Sequence, residues 1–312
     1  MKGYGPTDSS GFSGSATFLR LPRVADLTGV DVAFVGLPFD TAADYRAGAR
    51  FAPAAIREAS WALRPAYNPA QRMSVFERVS VVDFGDAPVV PNDAERSLAL
   101  MDEALTRVHE ADVVPIGLGG DQSVLLAEVR AAARRHGPLA LLYFGAHSDL
   151  RGERPDGTPS QGAVLGRALA EGLIDAQRST LLGMRGPVDS AGDADEARRL
   201  GFLTVPWQDL VQLGTGMIEG AVERAAGKAF LAFDVNFFDP AFAPGVGAPE
   251  VGGPTSAQAL ALLQGARGLN IVGADVVEVV PAYDHAQLTA LAAATVAYEI
   301  LTLIAAERQP VS

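Results

Sequence analysis

Three apolar runs in this chain end in side chains able to handle protons or bind cations. In Leu141-Leu-Tyr-Phe-Gly-Ala-His-Ser-Asp149, a strand-like run gives way to an imidazole and a carboxylate two positions apart. Strand side chains alternate with period two, so a strand through this segment turns Gly145, His147 and Asp149 to one side. Lys228-Ala-Phe-Leu-Ala-Phe-Asp-Val-Asn236 repeats the design and ends in Asp234 and Asn236, while Val113-Val-Pro-Ile-Gly-Leu-Gly-Gly-Asp-Gln122 ends in glycines, Asp121 and Gln122. Polar groups released at the C-terminal ends of apolar strands describe the rim of an open parallel sheet, where ligands bind.

The elements that must position these groups follow from the pattern along the chain. Apolar runs predict strands at 31–37, 79–84, 113–118, 139–144, 179–184, 202–205, 229–235 and 270–280. Helical stretches are expected at 53–63, where Pro53 suits a first turn, and from a cap at Asn92 to about 110. Further helices are expected at 123–135, 162–172, 214–226, 255–266 and 286–307. Strands alternating with helices imply βαβ units, and hence an α/β, three-layer αβα sandwich with a mostly parallel sheet. Residues 1–22 are rich in Gly and Ser and read as an N-terminal arm that orders against a neighbouring subunit; 23–312 read as a single domain, with no repeat or linker.

A chain of 312 residues, 48% hydrophobic and 20% charged, can bury a large core. Its formal charge of −12, with no basic run, disfavours nucleic acid or an anionic membrane as partner and is compatible with a cationic small ligand. Without cysteine there is no disulfide framework and no thiolate metal site. The stretch 288–306 is apolar but interrupted by Glu299, which favours a buried helix over a membrane span. The N-terminus lacks a basic region followed by an apolar core, so no signal peptide is expected and the cytoplasm is the default compartment. Neither Gly-x-Gly-x-x-Gly after the first strand nor a phosphate-binding Gly-x-x-x-x-Gly-Lys-Ser/Thr loop occurs, which excludes the common nucleotide readings.

Taken together, Gly119-Gly-Asp-Gln-Ser123, Gly145-Ala-His-Ser-Asp149, Phe233-Asp-Val-Asn-Phe-Phe-Asp-Pro240 and Asp275-Val-Val-Glu-Val-Val-Pro281 resemble, in order and spacing, the signature blocks of the ureohydrolase family. Asp40 to Ala54, Gly183-Met-Arg-Gly186 and Gly245 to Gly253 extend the likeness, and Ala16-Thr-Phe-Leu-Arg-Leu-Pro is most similar to the agmatinase and proclavaminate amidinohydrolase branch. The resemblance implies the arginase-like fold, a trimer or hexamer, and a binuclear manganese site. In that site the first histidine ligand falls on Gln122, the bridging aspartate on Gly145 and the last aspartate on Asn236, whereas His147, Asp149 and Asp234 match. The proton-shuttling histidine falls on Asp156, read either as a substitute or as a loop carboxylate capping a turn. Glu278 matches the glutamate that holds a substrate guanidinium, with an internal salt bridge to Arg185 or Arg46 as the structural alternative. Asp284 reads as a substrate-side carboxylate or a helix cap, Asp121 and Asp239 as loop braces, and His109 and His136 as solvated helix-end residues.

The family's four carboxylates supply about −4 against two divalent ions, whereas Asp149 and Asp234 supply about −2, and a glycine offers no ligand. The expectation is therefore no ion, or one divalent ion, Mn²⁺ if any, held by some of Asp149, Asp234, His147 and Gln122. Three functions are consistent with this. One is an amidinohydrolase acting on a guanidino or amidino compound, with His147, Asp149, Asp234 and Asp156 handling protons and Glu278, Asp284, Asn236 and Gln122 contacting substrate. The others are a non-catalytic relative that binds the same cation, and a different reaction on the same scaffold.

Overall fold

The computed structural model describes residues 5–6, 16–151, 160–188 and 190–308. Eight strands form one sheet: β1 (Val32–Gly36), β2 (Val81–Asp86), β3 (Val114–Leu118), β4 (Ala140–Phe144), β5 (Thr180–Leu182), β6 (Leu203–Val205), β7 (Ala229–Asp234) and β8 (Ile271–Val277). Their order is β2-β1-β3-β8-β7-β4-β5-β6, and every pairing is parallel. Strands β1, β3, β4, β7 and β8 are buried along their whole length, as parallel strands covered on both faces must be.

The α-helices are α1 (Ala52–Ser60), α2 (Ala94–Glu110), α3 (Leu125–His136), α4 (Val164–Ala170), α5 (Ala191–Arg199), α6 (Trp207–Leu213), α7 (Thr215–Arg224), α8 (Ser256–Gln264) and α9 (Leu288–Ala306), with short 3-10 turns between elements. Two apolar cores lie on opposite faces of the sheet. One gathers Phe34, Phe144 and Phe233 with residues of α1, α7, α8 and α9; the other gathers Val35, Tyr143 and Phe230 with residues of α2, α3 and α4.

Several expectations need correction. The cap of α2 is Asp93, whose carboxylate accepts from Arg96 N, while Asn92 takes a left-handed φ of 64° just before it. Helix α5 was not anticipated; its polar, Asp- and Arg-rich sequence carries no strong apolar stripe. The helix expected at 214–226 is α7, and a further unanticipated helix, α6, precedes it and ends at Gly214 with φ 62°. The described end of the expected arm packs into this chain's own core. Phe18 is fully buried with its ring centroid 4.1 Å from that of Phe34, and its N–H donates to Asp83 Oδ2 at 2.7 Å.

Helix α9 is long and apolar enough to span a bilayer, yet it is mostly buried against α1, α8 and β8. Its Glu299 accepts hydrogen bonds from Asn68 Nδ2 at 2.9 Å and Gln71 Nε2 at 3.3 Å, which satisfies a carboxylate inside the fold.

Candidate functional site

Register alone brings the polar strand ends together. Leu118 of β3 lies beside Val276 of β8, Val277 of β8 beside Asp234 of β7, and Phe233 of β7 beside Phe144 of β4. Four neighbouring strands in the middle of the sheet therefore deliver Gln122, Glu278, Asp234 and the segment 145–149 to one C-terminal edge. Strand β4 stops at Phe144, so the period-two alignment expected through Asp149 fails; Asp149 is instead turned by a left-handed φ of 49°. Glu278 follows β8 with φ 72°. Non-glycine residues in this region carry about 1–3 kcal/mol of strain and persist only where their surroundings fix them.

Asp149, Asp234 and Glu278 are buried and joined through neutral groups. Tyr143 donates its phenol to Asp149 Oδ2 at 2.6 Å and lies 3.4 Å from Asp234 Oδ2. Asp234 Oδ1 accepts from the N–H and Nδ2 of Asn236, both at 2.7 Å, and that Nδ2 is 3.3 Å from Glu278 Oε2. Glu278 Oε1 accepts from the backbone N–H of Gln122 at 2.7 Å. The Gln122 side chain is buried, and neither its Nε2 nor its Oε1 has a hydrogen-bond partner among the described residues.

No Arg or Lys among the described residues forms an ion pair with any of the three carboxyls. Arg185 instead donates to the carbonyls of Asn236, Phe238 and Glu250 at 2.9, 3.0 and 2.8 Å, and Arg46 to those of Pro244 and Val246 at 3.5 and 3.4 Å. The salt-bridge alternative for Glu278 is thus not realised. Burial pushes the Asp149 carboxyl up to about 6, partly offset by the phenol that donates to it. Burial, followed by the charge of Asp149, lifts Asp234 well above the carboxylate range; burial, followed by the charges of Asp234 and Asp121, does the same to Glu278.

The remaining predicted residues are distributed around this cluster. His147 is partly buried, with its pKa lowered first by burial, and the charges acting on it are Glu250, Arg151 and Arg185. Asp284 spends both carboxylate oxygens on α9, accepting from Thr289 N and Ala290 N at 2.9 Å each. Asp121 accepts from Ala42 N and Ser123 N, and Asp239 from the N–H groups of Ala241, Gly252 and Gly253, so both brace loops. His109 is buried, contrary to expectation, with burial lowering its pKa to about 4. Asp156 lies outside the described residues.

Two participants were not singled out from the sequence. Tyr143 reads there as one more apolar strand residue, although its period-two partner, Gly145, carries no side chain. Gly247 permits the approach of its loop to the cluster: a Cβ there would lie 2.0 Å from Glu278 Oε2.

An all-parallel αβα sandwich with acids collected at the strand ends defines a ureohydrolase-type scaffold. The sequence pattern of the arginase family matches residues 30–302, and the chain belongs to that family. It is 40% identical over 297 residues to guanidinopropionase of Pseudomonas aeruginosa, an alignment covering 94% of this chain and 93% of the relative. Guanidinobutyrase of the same organism is 35% identical over 298 residues, with coverages of 94% and 93%. Among solved structures, proclavaminate amidinohydrolase of Streptomyces clavuligerus superposes with a TM-score of 0.91 at 33% identity, covering 96% of this chain and 99% of its own. Arginase-family proteins generally bind Mn²⁺ ions.

Proposed function

We propose that this chain binds a guanidino compound, its cationic head lying among Asp149, Asp234 and Glu278. The observation that carries the reading is the burial of these three carboxyls without an Arg or Lys ion-pair partner among the described residues. Buried carboxylates are costly unless paired, and a planar guanidinium with several N–H donors supplies both charge and hydrogen bonds. The Gln122 amide, without a partner among the described residues, adds a donor and an acceptor beside them. Relatives named for guanidino acids make such acids the first compounds to try.

The donor set does not fit a pair of divalent ions. Gly145 and the amides Gln122 and Asn236 bring no charge to the positions that the family likeness assigns to ligands, and the Nδ2 of Asn236 turns towards the carboxylates. Among the described residues, no group of three or more His, Asp or Glu is arranged to hold a metal ion. Hard divalent ions favour carboxylate and imidazole, so the reading admits at most one ion.

Hydrolysis of the bound compound is a second reading, favoured by Asp149. A carboxyl raised to about 6 exchanges protons near neutrality, as required to take a proton from an attacking water and return one to a departing amine.

Titration calorimetry with guanidine, guanidinopropionate and agmatine, in chelator and then in Mn²⁺, tests the binding reading. Binding is expected in chelator; no heat with any of the three, in either buffer, refutes it. Urea release assayed in the same samples decides between hydrolysis and binding alone.

A further inference from the structure

Tyr143 is fully buried at the end of β4, and its ring fills the space next to Gly145. A Cβ built on Gly145 would lie 2.4 Å from Cε1 of Tyr143 and 2.7 Å from both Cζ and the phenol oxygen. No side chain enters that space while the ring is there, because carbon atoms not bonded to one another do not approach so closely. The phenol does not simply fill the gap. It donates to Asp149 Oδ2 at 2.6 Å and reaches Asp234 Oδ2 at 3.4 Å, so one hydroxyl stands between two carboxyls, one from the segment after β4 and one at the end of β7. From Asp234 the chain of polar contacts continues through Asn236 Nδ2 to Glu278, and from Glu278 to the backbone of Gln122.

We propose that Tyr143 has taken over the place of the ligand missing at Gly145: its hydroxyl, and not a metal ion, joins Asp149 to Asp234, and the pocket holds its organic cation without a divalent ion. The tyrosine and the glycine are one exchange, since the ring needs the absence of a side chain at 145 and the hydroxyl supplies the link that a carboxylate there would give through an ion. Joined in this way, the two carboxyls keep their positions by hydrogen bonds alone. Gln122, whose amide atoms are without partners among the described residues, is left to face the ligand. The inference rests on the proposed function only for the identity of the cation.

The test begins with the native full-length chain, stripped with chelator and titrated with MnCl₂, with bound metal measured by elemental analysis. Substoichiometric uptake is expected, and stoichiometric uptake with Tyr143 in place overturns the proposal. A stability cycle examines the exchange itself. Gly145→Ala should lower the thermal midpoint in the native chain and lower it much less in a Tyr143→Ala background; equal losses in both overturn the steric pairing. Tyr143→Ala combined with Gly145→Asp should gain Mn²⁺ uptake over either single variant, and a folded double variant without that gain also counts against it. If the double variant does not fold, the native titration and the stability cycle still decide. Guanidine calorimetry on the native chain separates the two claims: absence of guanidine binding removes the functional reading, while the metal titration continues to judge Tyr143.

Discussion

Glu278 combines the features that set this site apart from an ordinary buried acid. It stands on left-handed backbone, its carboxyl is lifted by burial and by Asp234, and both of its oxygens face donors on neutral groups. A cation bound there removes a like-charge conflict, so losing the acid costs more than one neutral hydrogen bond. Glu278→Gln is expected to weaken guanidine binding by about tenfold or more while leaving the chain folded, because hydrogen bonds to charged groups contribute about 1.5–3 kcal/mol. Calorimetry with guanidine checks this, and an unchanged affinity would place the cation elsewhere. The same reasoning separates Asp149 from His147: the carboxyl belongs to the bonded cluster, whereas the imidazole is governed first by burial and then by the charges of Glu250 and two arginines.

At the scale of elements, α9 shows how a candidate site residue becomes a structural one. Its N-cap position is Gln287, which makes no side-chain capping bond, and Asp284 supplies that function from upstream. Accepting two N–H groups at a helix N-terminus, where the helix dipole favours negative charge, is a complete role for a carboxylate. Asp284→Ala should therefore lower stability by about 1 kcal/mol in urea unfolding. Guanidine affinity should stay within about twofold, equivalent to less than one hydrogen bond; a larger loss would return Asp284 to the pocket.

For the whole molecule, the sheet also buries acids away from the crevice. Glu128 of α3 and Asp275 of β8 are both buried and act on each other's charge, and Glu128 Oε2 and Asp275 Oδ2 have no hydrogen-bond partner among the described residues. Burial, and then the charge of Asp275, raises Glu128 well above its ordinary range; burial raises Asp275 to about 6. Both folded values exceed the unfolded ones, so the native state holds more protons than the unfolded chain. The stabilisation is complete below the unfolded values and is lost as pH rises through the folded ones. Stability should thus fall as pH rises from the ordinary carboxyl range near 4 through about 6, the Asp275 value, and on through the raised Glu128 value, and Glu128→Gln should flatten the fall. Chemical denaturation of both proteins across that range reads the slopes, and parallel curves would show that the Glu128 proton does not set them.

The alternation of apolar runs and helical stretches sufficed for the αβα sandwich, since period and length are local properties that a single chain displays. The family likeness located Asp149, Asp234 and Glu278, and charge counting marked Gln122, Gly145 and Asn236 as departures. The sequence did not reveal α5 or α6, because short helices carry little periodic signal. It also left open whether Arg46 or Arg185 neutralises Glu278, and whether Asp284 lines the pocket or caps a helix. Those choices depend on which groups meet across strands far apart in the chain, as Tyr143 of β4 meets Asp234 of β7. Residue types fixed what chemistry was available, and packing across the sheet decided which atoms stand close enough to share it.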